Sequence, residues 1–540
     1  MSHSSQVRLP ALSDRSYLIL RLLLTSVLLV VPFQIAEAST QAANSSPKSR
    51  DVTTIQPRSP LDIEIQQRLS ALEGAKQGDD PGTVKTASRS LAASALRKMG
   101  YILAQLGQYS QAEDAYVRST DFEERAETRL DLCMLYLKIA RPDDCLSQTS
   151  KVILNDPQNS AAWRVQSNAY TAKKDAEHAA SSLQQAEALP KGTSEMPAVV
   201  SSSATSSVAQ RSQLKQRQVE LSKIIASALN DLATTEAREG SYALALDHFH
   251  DGERWQASLP GLQRNIGLAA DRVGDFPEVI RTLRKVIAAD PNDRVARAIL
   301  GSALYSTHDF AGAAQAFAPL GDTAIEQPGV AYAWADSLVK LNRFHEAKTL
   351  LDKLEQRPQS ADTFIVIAQL RSQMADYTHA VESCRRAVAA DPQIPKAHYI
   401  AALALLHEGH SAEAEAELRS ELAVDPNSVE TQYNLAFVLL QQSRPQEALP
   451  WLEKVVAQKP NHAQANYELG KQLLSDGKTE DATRYLEVAA RLSPQMAHVH
   501  YQLQSAYRTL GRRDDADREL KIYKEIKEKT RTPGGSATKP

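Results

Sequence analysis

The chain lacks long stretches of alternating apolar and polar residues, and its aromatic share is 6%. Half-buried strands need that alternation, so the fold class expected is all-α. A dominant charge of one sign is also missing. With 62 basic and 65 acidic side chains the net charge is −3, which removes any bulk electrostatic case for nucleic acid or anionic lipid as partner. There is no G-x-S-x-G elbow and no glycine-rich loop able to cradle phosphate, and the stretches outside the regular part of the chain are too short for a catalytic domain. Histidine offers no metal pattern. His248 and His250, like His498 and His500, are two apart, which on a helix turns them to different sides. His407 and His410 miss the four-residue spacing of a zinc-protease helix and straddle a turn at Gly409. No catalytic residue, cofactor or metal is therefore expected.

What is present begins with a basic and then apolar N-terminus. Arg8, Arg15 and Arg21 precede an apolar run from Leu22 to Ile35, followed by Ala36-Glu37-Ala38. This order reads as a secretory signal peptide over 1–38, cleaved after Ala38, and so as export to the periplasm or beyond. The alternative is an uncleaved N-terminal membrane anchor, the one way this chain would meet a membrane.

The body of the sequence is periodic. Prolines at 392, 426, 460 and 494 stand 34 residues apart, and the segments between them superimpose. Such a period marks a stacked repeat array. Within 463–494, Tyr467, Leu469, Gly470 and Leu473 fall at helical spacing, Asp476-Gly477 breaks the pattern, and Ala482, Tyr485, Leu486 and Ala489 resume it before Pro494. The unit is helix, turn, helix, stop, because proline disfavours helix in the residue before it. The eighth residue of a unit is small, as at Gly267, Gly301, Ala402, Ala436 and Gly470. The twentieth is alanine in eight of the nine units after residue 213, Val279 being the exception. Small side chains there let the two helices approach closely. One unit has too few apolar side chains to offset the entropy of ordering it, so stability must come from stacking on neighbours.

The pattern Tyr433-Asn434-Leu435-Ala436, Ala448, Leu452 and Pro460 resembles the tetratricopeptide repeat family. In that register there are twelve units, starting near 93, 126, 160, 226, 260, 294, 328, 361, 395, 429, 463 and 497. The resemblance implies a right-handed α-solenoid. It also implies protein binding on the concave face built by the first helices. Carried over position by position, that face offers Tyr399, Leu403, Leu406 and His407; Tyr433, Phe437, Leu440 and Gln441; Tyr467, Lys471 and Leu474; and Tyr501 and Arg508. Such a groove suits a peptide with apolar anchors. The same residues also read as packing between neighbouring units. The carboxylate clamp of the chaperone-binding subclass is incomplete: Arg164, Asn168 and Asn434 match single positions without the basic residues around them.

Between and around the repeats, 39–60 is polar and proline-rich and reads as a tether. A first helix is expected near 61–77, with Leu61, Ile65, Leu69 and Leu72 on one stripe, capping a first block that ends at 190. The serine-rich 191–213 reads as a flexible linker and as the break in the array, with a second block over 214–529 and a disordered tail over 530–540. Cys133 and Cys145 sit at the eighth and twentieth positions of one unit, where its helices touch. They read equally as a disulfide, in an oxidising compartment, or as small apolar packing. Cys384 reads as packing. The function expected is a non-catalytic scaffold for a protein or peptide partner in the periplasm or cell envelope. The alternative is an assembly subunit of an envelope secretion or polysaccharide-export machine. An enzyme would need a titratable cluster that the sequence does not show.

Overall fold

The structure, a computed structural model, describes residues 59–78, 80–189 and 208–531. The signal peptide read over 1–38 lies outside the described residues, as do most of the tether, most of the linker, and the tail from 532. The described residues form 25 α-helices and one 3-10 helix, with no strand. Each of the twelve units is a helix pair, from Pro81–Gln105 with Tyr109–Phe122 to Ala497–Thr509 with Arg513–Arg531. The chain leaves helical geometry at Asp391, Asp425, Lys459 and Ser493, each directly before one of the periodic prolines. The turn inside each pair needs a left-handed residue. Gly477 supplies it with φ 77°, whereas Ser443, one period earlier, adopts φ 59° against its own side chain.

The small positions do the work expected of them. A Cβ at Gly470 would lie 2.8 Å from Leu486 Cγ and 3.0 Å from the Ala482 carbonyl, so the two helices meet at backbone distance. Ala448 and Ala482 are fully buried for the same reason. The stretch 318–330, which departs from the regular ending, holds a 3-10 helix, Ala318–Glu326, interrupted at Gly321 with φ 54° and ψ −133°.

Two compact units are present among the described residues, one running to Ala316 and the other starting at Phe317. This differs from the division expected at 191–213. Helix Val208–Arg238 begins inside the residues read as linker, and it packs along Pro81–Gln105, the first long helix of the first block, rather than continuing from Ala176–Ala188. The two run antiparallel. Lys85, near the start of one, pairs at 2.7 Å with Glu239, just past the end of the other, while Leu103 near the end of the first lines the same crevice as Gln218 and Ser222. Leu91, Leu96, Met99 and Leu103 share one buried cluster with Leu221, Ile225, Ala228 and Leu229. The partner helices also meet: Arg118, tenth in Tyr109–Phe122, pairs with Asp251, tenth in Tyr242–Trp255. Equivalent residues facing each other mark a local pseudo-twofold axis. The N-terminal unit is thus two three-pair arms joined head to head at a packed seam. The reason is chemical. Both seam helices are extended at their N-termini beyond the repeat, from 93 back to 81 and from 226 back to 208, and the extra turns carry apolar stripes that need cover.

Candidate functional site

The candidate site is the row of first helices from Ala397–Glu408 to Ala497–Thr509 in the C-terminal unit. Local signals fix where each helix starts. Ser428 Oγ accepts the amide of Thr431, and His462 Nδ1 accepts the amide of Ala465. With the starts set 34 residues apart, tyrosine recurs at the fifth position, and the rings of Tyr399, Tyr433 and Tyr467 each meet the following unit, while that of Tyr501 meets the second helix of its own. Asn434 Nδ2 donates to the Tyr399 hydroxyl at 3.2 Å. The Tyr433 ring lies 4.7 Å from that of His462, and Tyr467 lies 4.5 Å from His498, edge on. Tyr501 lies 5.6 Å from Tyr523 of the last helix. Burial raises the phenol pKa of Tyr399 and of Tyr467 to about 12 and pushes that of Tyr433 above its usual range.

Placed in this frame, the sequence-predicted residues separate. Leu403 is fully buried, and Tyr467 is 8% exposed. Neither is open to a partner, because each packs against neighbouring helices. Tyr399 and Tyr433 are half-buried and serve mainly to join successive units. An accessible row remains: Leu406, Phe437, Leu440 and Leu474 are half-buried, His407, Gln441 and Arg508 are exposed, and Tyr501 is 51% exposed. Lys471 reaches over the Tyr467 ring, 6.0 Å from its centre, and lies 3.5 Å from Glu468, whose carboxyl pKa is raised by burial against the pull of that lysine. The result is an apolar floor with cationic and amide groups at its edges, without a nucleophile beside a base.

Sequence reasoning missed the histidines as ring partners. Besides His462 and His498, the exposed His407 lies flat on Tyr377 of the preceding second helix, 4.8 Å between ring centres. A tyrosine followed one unit later by histidine near a helix start was the available signal. It also missed Arg371, which is 1% exposed and held by Asp352 and Glu355 at 2.7 Å and Asp376 at 3.1 Å. These ion pairs tie the two helices of one unit to the helix before them, a structural use of buried charge. A third group, His250, Glu253 and Glu278, brings its donor atoms within 4.8 Å of one another. The Arg281 guanidinium already bridges both carboxylates there, with Lys285 3.8 Å from Glu253, so the site holds its cation as a side chain. In the N-terminal unit the structure joins Cys133 and Cys145 in a disulfide across their helix pair. Cys384 is buried, and burial pushes its thiol pKa far up.

Antiparallel helix pairs with a small-residue contact, stacked by the neighbours' apolar faces in chain order except at the seam, define a helical repeat scaffold. Family models described as tetratricopeptide repeat match residues 264–319, 365–429 and 405–469. These stretches are tetratricopeptide repeats. Among solved structures, YrrB, described as a TPR protein with an unusual peptide-binding site, is similar at 22% identity over 33% of this chain and 91% of its own, with a TM-score of 0.30. MamA 41-end from Desulfovibrio magneticus RS-1 is similar at 24% identity over 32% of this chain and 95% of its own, with a TM-score of 0.29. No curated protein matches the sequence.

Proposed function

We propose that this chain is a non-catalytic protein-interaction scaffold that takes a peptide or protein segment along the first helices of its last four repeats. The observation that carries this reading is the accessible row Leu406, Phe437, Leu440 and Leu474 on three successive first helices, edged by Gln441, Lys471 and Arg508. Apolar anchors at helix spacing with polar groups beside them fit an extended or helical segment carrying apolar side chains and acidic or amide groups. The reading includes export by the segment at 1–38 and work in the periplasm or cell envelope. The Cys133–Cys145 pairing supports that compartment, because disulfides persist where conditions are oxidising. Among the described residues no helix is long and apolar enough to cross a membrane.

The test is crosslinking with mass spectrometry on the exported protein in its native cell, then repeated with the double change Phe437→Ala and Gln441→Ala. Expected is a crosslinked segment mapping to 397–509 that is lost in the variant while helicity by circular dichroism stays nearly unchanged. Unchanged capture by the variant overturns the site, and capture of membrane proteins at fixed ratio through other surfaces favours an assembly subunit instead. Intact mass after alkylation without reductant checks the compartment: labelling of both Cys133 and Cys145 removes its support.

A further inference from the structure

Helix Pro60–Gln77 was expected to cap the first repeat, and it does more. Ser59 opens it with a reciprocal capping box with Asp62. It then runs antiparallel to Pro81–Gln105 and reaches across the seam to Val208–Arg238. On one side Asp62 pairs with Lys98 at 3.2 Å, and Glu64 accepts from Ser94 at 2.9 Å and from Arg125 at 2.6 Å. On the other, Arg217 pairs with Asp62 at 2.9 Å and Lys76 pairs with Asp231. Ser94 and Lys98 are the second and sixth positions of their repeat, and Ser227 and Asp231 hold the same positions in theirs. These belong to the first-helix face that the family uses for partners, so the helix lies where a ligand would.

Its attachment is also ligand-like. Only Ile65, Leu72 and Ala75 are buried on it, with Leu61 and Leu69 partly so, and the remaining hold is polar along its length, since Arg68 at its middle pairs with Glu123 and donates to Ser90. Toward Val208–Arg238 the fit is incomplete: a crevice of 240 Å³ opens between Leu69, Leu72 and Lys76 on the helix and Leu91, Ile224 and Ser227 opposite. The repeat helices, by contrast, approach until a Cβ at Gly100 would lie 2.9 Å from the Tyr116 ring.

We propose that helix Pro60–Gln77 is an intramolecular ligand covering the seam, displaced by a partner helix with acidic residues in its first turns, basic residues toward its end and apolar anchors seven apart. The order is that of Asp62, Glu64, Ile65, Arg68, Leu72 and Lys76, and a competitor of the same charge order would meet Lys98, Arg125 and Arg217 at one end and Asp231 at the other. This surface lies in the N-terminal unit and stands independently of the groove on the last four repeats.

The experiment uses the full chain carrying Ile65→Glu and Leu72→Glu, with a labelled synthetic peptide of residues 59–78 as probe. Saturable binding to the variant and none to the wild type is expected, with affinity falling about ten-fold or more between low and high salt because the end contacts are screened. A second peptide with Asp62→Lys and Lys76→Glu must fail to bind. No binding of the first peptide to a variant that keeps its remaining helicity overturns the proposal, as does equal binding of both peptides. Should the variant unfold, hydrogen exchange on the wild type decides. Amides of 60–77 exchanging about ten-fold or more faster than those of 81–105 support a detachable ligand, and equal protection makes the helix part of the core and overturns it.

Discussion

At the seam, the first-helix positions carry Ser94, Lys98, Ser227 and Asp231 and lie under a helix fixed by charge. Along the last four repeats the fifth position is tyrosine every time, the rings of the first three join successive units, and the row Leu406, Phe437, Leu440 and Leu474 is half-exposed with no helix laid across it. The pair geometry is the same in both regions, with a glycine under the second helix at Gly100 and at Gly470. The scaffold therefore sets where a face is, and a handful of side chains decides whether it is covered by the chain itself or left open. Charge suits a removable cover because ion pairs weaken with salt and pH. Stacked aromatic rings suit a permanent joint, since their burial responds to neither.

Three changes test how separate these regions are, and the largest effect is expected at the seam core. Leu229 is 1% exposed within the cluster shared by both arms. Leu229→Ala should cost about 2–5 kcal/mol of local stability through lost burial and the cavity left behind. Urea unfolding read by hydrogen exchange should show the loss in residues 81–316 and leave 361–531 within about 0.5 kcal/mol of wild type, as expected for distant sites. A matching loss in both would mean that the chain unfolds as one body, and the comparison would then have no energetic meaning.

The second change moves to the open region. Gly470→Val puts side-chain atoms where Leu486 Cγ would already lie 2.8 Å from a Cβ, so the pair Ala463–Ser475 and Thr479–Leu492 must spread. A cost of about 1–3 kcal/mol is expected, confined to the C-terminal unit. Partner capture should fall as well, because Lys471 and Leu474 move with the helix. A loss of stability without any change in capture would place the partner elsewhere.

Much of this architecture was legible before any coordinates, and for a physical reason: packing residues repeat when the packing repeats. Gly470, Ala482 and Pro494 announce a close pair and its exit wherever they recur, and the Gly100–Tyr116 contact follows the same rule. Even Cys133 and Cys145 could be placed at one contact from their positions in the unit. The seam was not legible. It occurs once, so no period reports it, and the serine-rich stretch that precedes Val208 carries no information about where the next helix docks. The tyrosines were undecided for a different reason. Their position fits a groove residue and a packing residue alike, and the structure gives Tyr433 and Tyr467 to packing, because His462 and His498 start their helices within reach of those rings. Leu403, fully buried, was undecided for a similar reason, since a leucine on the expected face gives no sign of whether a neighbour already covers it.

The smallest of the three effects concerns the charge that holds the covering helix. Burial works against the Asp62 carboxylate, but hydrogen bonds from Ser59 and Arg217 and the Lys98 ammonium outweigh it and hold the pKa at about 2, below the ordinary value of 3.8. A depressed carboxylate pKa means that the folded state binds the proton less readily than the unfolded one. The stabilisation is therefore full above the unfolded value and is lost as pH falls from about 4 toward 2. The pairs at Asp62 are partly open to solvent, so about 1 kcal/mol is a fair expectation rather than the whole shift. Hydrogen exchange of residues 60–77 should accelerate between pH 4 and pH 2.5 relative to 81–105 once corrected for intrinsic rates, and Asp62→Asn should flatten that dependence while leaving 397–509 untouched. Acceleration of equal size in the variant would remove Asp62 as the source of the acid response and would shift the hold on this helix away from its first turn.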